Sequence, residues 1–202
     1  MTIWRGDKPL ILASQSRARQ MLLANAGISF AAKPADIDER AIQAASGLTR
    51  PGDIAMLLAL EKARAVAALH PGRIVLGADQ TLVLGERLFD KPAGRAGAAA
   101  QLRALSGQTH ELHAGIALVG NGRVLAQAVA VARMTVRALT DAAIETYLDA
   151  AGEAVTRSVG AYQLEGLGIH LFERIEGDHF TILGLPLLTL LPVLRREGLI
   201  AI

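Results

Sequence analysis

A short apolar segment that leads into a carboxylate constrains this chain more than any other feature. Residues 74–78 are apolar or small without interruption, follow Pro71-Gly72, and run directly into Asp79. Such a run is typical of a strand that is buried on both faces inside an α/β sheet. Asp79 would then lie at the carboxyl end of the strand, where ligands of open α/β sheets collect. The alternative is that Asp79 only caps the turn that follows.

The composition favours a single globular domain over residues 1–202. A content of 51% apolar residues argues against disorder, and a net charge of +2 with 3% aromatic residues does not favour a nucleic-acid partner. The absence of cysteine excludes disulfides and thiol catalysis. The most apolar stretch, residues 182–194, is too short for a membrane span of about 20 residues. With no signal-peptide pattern at the start, we expect a cytoplasmic protein without membrane partners.

Apolar runs and turn residues alternate in a way that predicts both strands and helices. Asp53 and Thr140 are candidate N-caps, residues 82–88 are typical of a tight hairpin, and residues 120–122 indicate a second hairpin. We interpret residues 36–39 as an acidic turn. The mixture predicts an α/β fold in which helices flank a mixed sheet. The predicted strands are 10–13, 28–33, 73–81, 109–119 and 124–137, and the predicted helices are 17–26, 53–69, 95–105, 140–150 and one that starts at 185–186.

Lys62 lies in the middle of the apolar face of the helix predicted at 53–69. Because it stands at helical spacing from Leu58 and Val66, its ammonium must either reach solvent or meet an anion. Only four of the 21 basic residues are lysines, which indicates that a lysine is kept where a compact ammonium is needed. The alternative is a purely structural ion pair of Lys62 with Glu61 or with an aspartate.

Two hydroxyls and two guanidinium groups stand at the start of the helix that follows the first strand. A helix N-terminus attracts negative charge, so cations there are unfavourable by roughly 0.3 kcal/mol or more. A strand, a serine-rich turn, a helix N-terminus and arginines together predict a phosphate site. Simple N-capping explains a serine but not the arginines. The residues concerned are Ser14, Ser16, Arg17 and Arg19.

Other charged residues extend this candidate site. Lys91 is fixed by the stiff turn at Pro92, and Glu39 joins Asp79 as an acid near a strand end. Carboxylates beside several cations suit a hard metal ion, Mg²⁺ or Mn²⁺, that also binds oxygens of the substrate. His110 and His113 alternate along one strand, and we interpret them as surface or packed residues.

Taken in order, these motifs resemble the Maf family of nucleotide pyrophosphatases. The resemblance covers nearly the whole chain and implies two lobes around a central cleft, commonly as a homodimer. It also implies hydrolysis of nucleoside triphosphates, modified ones included, to the monophosphate and pyrophosphate with a divalent metal. The motifs are Leu10-Ile11-Leu12-Ala13-Ser14-Gln15-Ser16, Asp38-Glu39, Glu61-Lys62-Ala63, Gly77-Ala78-Asp79, Lys91-Pro92, Leu105-Ser106-Gly107 and Gly184-Leu185-Pro186-Leu187.

The resemblance further implies a role for each matching residue. Asp79 corresponds to the proton acceptor and, with Glu39, to a metal ligand, while Lys62 and Lys91 join Asp79 as catalytic residues. Phosphate and metal contacts correspond to Ser14, Ser16, Arg19, Glu39, Lys62 and Lys91.

Three positions where base selectivity is set in this family are Ala18, Gln80 and Glu165. Gln80 with Glu165 is closer to the branch that acts on 7-methylguanosine triphosphate than to the dTTP/UTP branch, because a carboxylate accepts hydrogen bonds from guanine N1–H and N2. That branch tends to carry an aromatic residue where this chain has Ala18. The base therefore stays open.

The mechanistic hypothesis is a metal-assisted attack of water on the α-phosphorus, with Asp79 orienting or deprotonating the water. Lys62, Lys91, Arg19 and the first helix N-terminus would stabilise charge on the triphosphate. Two other functions stay open: a non-catalytic nucleotide-binding regulator of cell division, and a structural α/β domain with satisfied buried ion pairs.

Overall fold

Seven strands form one mixed sheet in the computed structural model, which describes residues 3–202. Their order is β2-β1-β3-β5-β6-β7, and β4 pairs with β3. β1 is parallel to β2 and β3, whereas β4 and β7 are antiparallel to β3 and β6. The predicted mixed α/β sheet is confirmed. The strands are β1 (Leu10–Leu12), β2 (Phe30–Ala32), β3 (Ile74–Leu84), β4 (Arg87–Phe89), β5 (Thr109–Gly120), β6 (Arg123–Val136) and β7 (Phe172–Glu176).

Seven α-helices accompany these strands within the described residues. Three 3₁₀ segments, 152–156, 159–161 and 167–171, fill the connection between α5 and β7. None of the described helices has the length and hydropathy needed to cross a bilayer. The helices are α1 (Arg17–Asn25), α2 (Glu39–Ser46), α3 (Pro51–Leu69), α4 (Gly94–Leu105), α5 (Asp141–Ala151), α6 (His179–Ile182) and α7 (Leu187–Arg196).

Contacts divide the chain into two compact units. The first unit comprises the chain up to Gln80 together with His113–Ala130 and Asp178–Ile202. The second unit comprises Thr81–Leu112 and Val131–Gly177.

In the first unit, β3 alternates between two apolar cores. Leu76 and Ala78 belong to a core that includes side chains of α1 and α7, whereas Val75 belongs to a core with α3. Because successive strand residues point to opposite faces, Gly77 and Asp79 share the face of Val75 and therefore point toward α3. The alternation of side chains along β3 therefore places Asp79 on the face that packs against α3.

Gly77 allows α3 to lie close to β3. A Cβ atom at this position would overlap the backbone oxygen of Ala59 and lie 2.9 Å from the backbone nitrogen of Ala63. No other residue type fits there without a shift of the helix. This close approach brings Lys62, the neighbour of Ala63, alongside the strand face that carries Asp79.

β3 is longer than predicted, and Asp79 lies inside it rather than at its end. The parallel pairing with β1 stops at Leu76, but the strand continues to Leu84 because its second half pairs with β4. Asp79 therefore lies just beyond the parallel part of the strand. The hairpin predicted at 82–88 is confirmed, with Gly85 at a positive φ of 60° in its turn.

The predicted N-cap of α3 is wrong. The helix begins at Pro51 after Arg50, without a side-chain cap, and Asp53 lies in the first turn, where it pairs with Arg50 at 3.5 Å. Proline at the first helical position needs no N–H partner, so it moves the helix start upstream of the aspartate. Leu69, expected on the buried face of this helix, is 77% exposed.

Three elements, α2, α6 and β7, were missed by the sequence patterns. Residues 36–39 do not form only an acidic turn, because Asp38 caps α2 by accepting a hydrogen bond from the Ala41 amide at 3.0 Å. An aspartate followed by an alanine-rich octet and Gly47 is itself a helix signal. β7 was also missed, since its residues are mostly polar. The Thr140 cap of α5 and the turn at Asn121 and Gly122, both with positive φ, are confirmed.

Candidate active site

Lys62 lies at the centre of a cluster of charges in the first unit. Its Nζ donates to Asp79 Oδ1 at 2.6 Å and lies 2.9 Å from Glu39 Oε1. The side chains of Lys62 and Asp79 are only 11% and 10% exposed, whereas that of Glu39 is 48% exposed. One ammonium therefore links a buried carboxylate to a carboxylate at the surface. We call Glu39, Lys62 and Asp79 the charged cluster.

Burial dominates the electrostatics of Asp79. Desolvation raises the pKa of its carboxyl group above the usual value, and the negative charge of Glu39 acts in the same direction. The charges of Lys62 and Arg19 and the hydrogen bond from Lys62 oppose this rise. A carboxyl group with a raised pKa beside a cation is a frequent feature of proton-transfer sites. This combination makes Asp79 the most reactive candidate in the first unit.

The turn before α1 is built by two serine hydroxyls. Ser16 caps the helix, since its Oγ accepts from the Arg19 amide at 3.4 Å, and Ser14 Oγ accepts from the Ser16 amide at 3.2 Å. The N-capping alternative is thus correct for Ser16. The same turn still leaves a helix N-terminus facing the end of β1, which is the arrangement that binds phosphate oxygens in other proteins.

Arg19 connects three segments of the first unit. Its Nε donates to the Gly184 carbonyl at 2.8 Å, and its Nη1 donates to the Ala78 carbonyl at 2.7 Å and to Ser14 Oγ at 3.2 Å. Burial lowers the pKa of the guanidinium, while the charges of Asp79 and Glu39 raise it. The arginine that the sequence assigned to phosphate therefore also fixes the backbone directly before Asp79.

Gln80 is tied to the segment that contains α6. Its Nε2 donates to the carbonyls of Thr181 at 3.0 Å and Ile182 at 3.1 Å. These two bonds use Nε2 and so assign the orientation of the side-chain amide. Gly184 has a φ of 81°, which side-chain-bearing residues rarely adopt, and a Cβ atom there would lie in tight contact at 3.2 Å from Arg19 Nε and 3.4 Å from Gln80 Oε1.

The donor set for a metal consists of two carboxylates. Among residues 3–202, no group of three or more histidine, aspartate and glutamate side chains comes together. Glu39 and Asp79 supply hard oxygen donors around one ammonium, which fits a cation such as Mg²⁺ that takes its other ligands from phosphates and water. The set does not fit an all-protein cage.

Comparison with known families follows the order of the motifs along the chain. The family model described as Maf-like protein matches residues 9–197. The chain belongs to the Maf family. The charged cluster, the serine turn, Arg19, Gln80 and Gly184 all lie within the matched region.

Relatives in the Maf family are similar over their whole length. A protein of Bradyrhizobium diazoefficiens named nucleoside triphosphate pyrophosphatase is 68% identical over 100% of both chains. One of the same name from Nitrobacter winogradskyi is 66% identical, also over 100% of both chains. A protein of Rhizobium etli named 7-methyl-GTP pyrophosphatase is 52% identical over 95% of this chain and 97% of its own.

Not all predicted site residues belong to the charged cluster or its neighbours. Lys91 lies between β4 and α4, and Glu165 lies in a turn after the second 3₁₀ segment; both are exposed residues of the second unit. Their functional assignments stay predictions. Ala18, in the first turn of α1, packs against the apolar core of the first unit.

Sequence reasoning missed the role of the segment 178–184. Asp178 caps α6, accepting from the Thr181 amide at 3.0 Å and from its hydroxyl at 2.5 Å. The short helix then presents the carbonyls that hold Gln80, and Gly184 after it presents the carbonyl that holds Arg19. The aspartate three residues before a threonine and the Gly184-Leu185-Pro186 sequence were the available signals.

Proposed function

We propose that this Maf protein is a nucleoside triphosphate pyrophosphatase, which releases pyrophosphate and a nucleoside monophosphate by attack of water on the α-phosphorus. The observation that carries the proposal is the charged cluster, in which a buried carboxylate with a raised pKa touches a buried ammonium. A protein that only binds nucleotides has little need of a carboxylate that would repel phosphate. The names of the two relatives above 65% identity support the same activity.

Asp79 acts as the group that orients the attacking water and accepts its proton. Burial raises its pKa above that of an ordinary aspartate, which makes the carboxylate a stronger proton acceptor and its ionised fraction smaller. The charge and the hydrogen bond of Lys62 favour the ionised form and oppose this rise. Arg19 fixes the strand position by holding the carbonyl of Ala78.

The triphosphate is bound by the turn at Ser14 and Ser16, the N-terminus of α1, Lys62 and Lys91. Backbone amides and cations stabilise negative charge as the pyrophosphate leaves. Because Nε and Nη1 of Arg19 already donate to protein oxygens, its Nη2 is the atom that remains for a phosphate. Arg19 therefore combines a positioning role with a substrate contact.

We assign the divalent cation, Mg²⁺ or Mn²⁺, to Glu39 and Asp79. When bound with substrate, it neutralises phosphate charge and lowers the pKa of a bound water. Glu39 is suited to exchange its contact with Lys62 for one with the cation. Its side chain is half exposed and can move away from Lys62 without exposing a buried charge.

Base selection is assigned to Gln80 and Glu165, with Ala18 as the third position. Gln80 offers a ligand an acceptor oxygen, since its amide hydrogens are used by two carbonyls. A carboxylate at Glu165 is also an acceptor. Both favour a base that presents donors, such as guanine or 7-methylguanine, and the relative named 7-methyl-GTP pyrophosphatase supports this alternative. Cytoplasmic location, homodimer formation and the absence of nucleic-acid polymers as partners belong to the same proposal.

The test is a pyrophosphate-release assay with a panel of nucleoside triphosphates, 7-methyl-GTP included, with Mg²⁺, with Mn²⁺ and with a chelator. We expect release only with metal, and we expect Glu39→Gln to require a roughly tenfold higher metal concentration for half-maximal rate. Glu61→Gln is the matched control, because Glu61 pairs with Arg64 at the surface of the same unit. Binding of nucleotides without any release would identify the regulator of cell division instead.

A further inference from the structure

The second unit contains a buried polar cluster that the proposed reaction does not use. His110 of β5 is fully buried, and its Nε2 lies 2.7 Å from the hydroxyl of Tyr162. That hydroxyl lies 3.5 Å from Met134 Sδ. No described residue forms a hydrogen bond with His110 Nδ1, although this atom is buried. We call His110, Tyr162 and Met134 the neutral cluster.

The hydrogen bonds of this cluster have one economical arrangement. Burial lowers the pKa of His110 to about 4, so the imidazole is neutral and carries one N–H group. A proton on Nδ1 would be a buried donor without an acceptor, which is the rarer and costlier defect. With the proton on Nε2, His110 donates to the Tyr162 oxygen, and the Tyr162 hydroxyl donates to Met134 Sδ. The chain of donors therefore runs from β5 through Tyr162 to β6.

Tyr162 ends a segment of strained backbone. Gly160 has a φ of 81°, and Ala161, which carries a Cβ atom, has a φ of 62°. Non-glycine residues persist in this region only where their surroundings fix them. Such strain marks a segment whose shape is set by tertiary contacts.

Side chains from three other places hold the same segment. Gln101 of α4 accepts from the Gly160 amide at 3.0 Å, Tyr147 of α5 donates to the Ala161 carbonyl at 3.1 Å, and Ser158 donates to the Tyr162 carbonyl at 2.6 Å. The bond from His110 differs from these three because it holds the side chain of Tyr162 rather than the backbone. The next residues, 163–166, form the turn that carries Glu165.

We propose that His110 is a positioning residue, which through the Tyr162 hydroxyl sets the conformation of residues 160–166 and thereby the base selectivity assigned to Glu165. The effect on base selectivity rests on the proposed function. The effect of His110 on the conformation of residues 160–166 does not. A leucine and a phenylalanine would fill these two positions without a buried polar group. The polar pair is therefore a device for a defined geometry rather than for stability.

The test compares Tyr162→Phe, His110→Leu and the double variant with the wild type. Each single variant leaves one buried polar group without its partner and should lower Tm, whereas the double variant removes both groups and should keep Tm near that of the wild type. All three should raise amide hydrogen exchange at residues 160–166 by about tenfold and should leave exchange in α3 unchanged. The matched control is Thr135→Val, which removes the exposed 2.9 Å hydrogen bond between Thr109 and Thr135 of the same two strands; it should change neither quantity.

The kinetic readout is the ratio of kcat/KM between 7-methyl-GTP or GTP and a pyrimidine triphosphate. We expect the double variant to change this ratio about tenfold, mainly through KM, with kcat within about twofold, because Glu165 is assigned to the base and not to the phosphorus. A merely structural role would change Tm alone.

Two results would overturn the proposal. One is wild-type exchange at residues 160–166 in the double variant, which would show that ring packing against Phe172, 4.8 Å from Tyr162 between centroids, suffices. The other is an altered exchange with an unchanged base ratio. If the wild type releases no pyrophosphate from any nucleotide, the proposed function fails, and the exchange data together with the ratio of nucleotide Kd values still decide the role of His110.

Discussion

The charged cluster of the first unit and the neutral cluster of the second unit are both buried polar groups, but they differ in charge and in exposure to solvent. The charged cluster pairs Lys62 with Asp79 and keeps a connection to the surface through Glu39. The neutral cluster joins His110 to Tyr162 with no carboxylate and no exposed member.

The difference shows how burial acts on each kind of group. Burial raises the pKa of Asp79, an acid, and lowers the pKa of His110, a base, so in both cases the neutral form is favoured. In the first unit, the positive charges of Lys62 and Arg19 oppose this effect on Asp79. In the second unit no charge opposes the effect of burial on His110. His110 and Tyr162 therefore interact only through the geometry of their hydrogen bond.

The largest effect should come from Asp79→Asn. Loss of the proton acceptor should lower kcat by about 10²–10⁴-fold, measured as pyrophosphate release. We expect Tm to change little, because Lys62 keeps Glu39 as a partner. Asp53→Asn, at an exposed ion pair on α3, is the control and should retain activity within about twofold. Full activity of Asp79→Asn would show that Asp79 is not the proton acceptor and that the charged cluster has no chemical role.

A smaller effect is expected from Lys62→Met. Because the charge and the hydrogen bond of Lys62 lower the pKa of Asp79, their removal should raise that pKa further and displace the acid limb of the kcat/KM profile to higher pH. At neutral pH we expect a loss of about 10²–10³-fold. Lys8→Met, at an exposed lysine of the same unit, should have no effect. A lower Tm with an unshifted pH profile would instead support the purely structural ion pair.

The smallest effect should be the pH dependence of stability due to His110. Between pH 6.5 and about 4, the unfolded chain binds a proton that the folded chain does not, so the free energy of unfolding decreases as the pH falls. The full stability is present above pH 6.5. The loss due to His110 grows as the pH falls, levels off below about pH 4, and is on the order of 3 kcal/mol at most. Asp79 acts with the opposite sign, since its raised pKa stabilises the fold at low pH and is lost as the pH rises.

Urea unfolding at several pH values measures this contribution, and the double variant His110→Leu/Tyr162→Phe should lack it. The variant Asp79→Asn removes the opposite contribution of Asp79, so that the contribution of His110 is measured alone. Equal slopes for wild type and double variant would mean that His110 is not held neutral by the fold.

Most strands and helices could be predicted from local patterns, and all three residues of the charged cluster were among the candidates. Two unusual charges are visible in the sequence: Lys62 on an apolar helix face and Asp79 after an apolar run. Each is a charged residue at a position where the hydrophobic pattern predicts burial. The sequence could not show that Asp79 lies inside β3. That depends on tertiary pairing, because β3 continues beyond its parallel pairing with β1 and has β5 and β4 as its other neighbours.

The sequence by itself determined the α/β character, the Maf resemblance and the residues that carry unusual charges, since these follow from hydrophobic period and residue type. Only the tertiary structure decided which charges meet. The close packing of α3 at Gly77 sets Lys62 against Asp79, and carbonyls of the segment 178–184 accept hydrogen bonds from Gln80 and from Nε of Arg19. Such pairings depend on distances between segments far apart in the chain, and local periodicity holds no information about them.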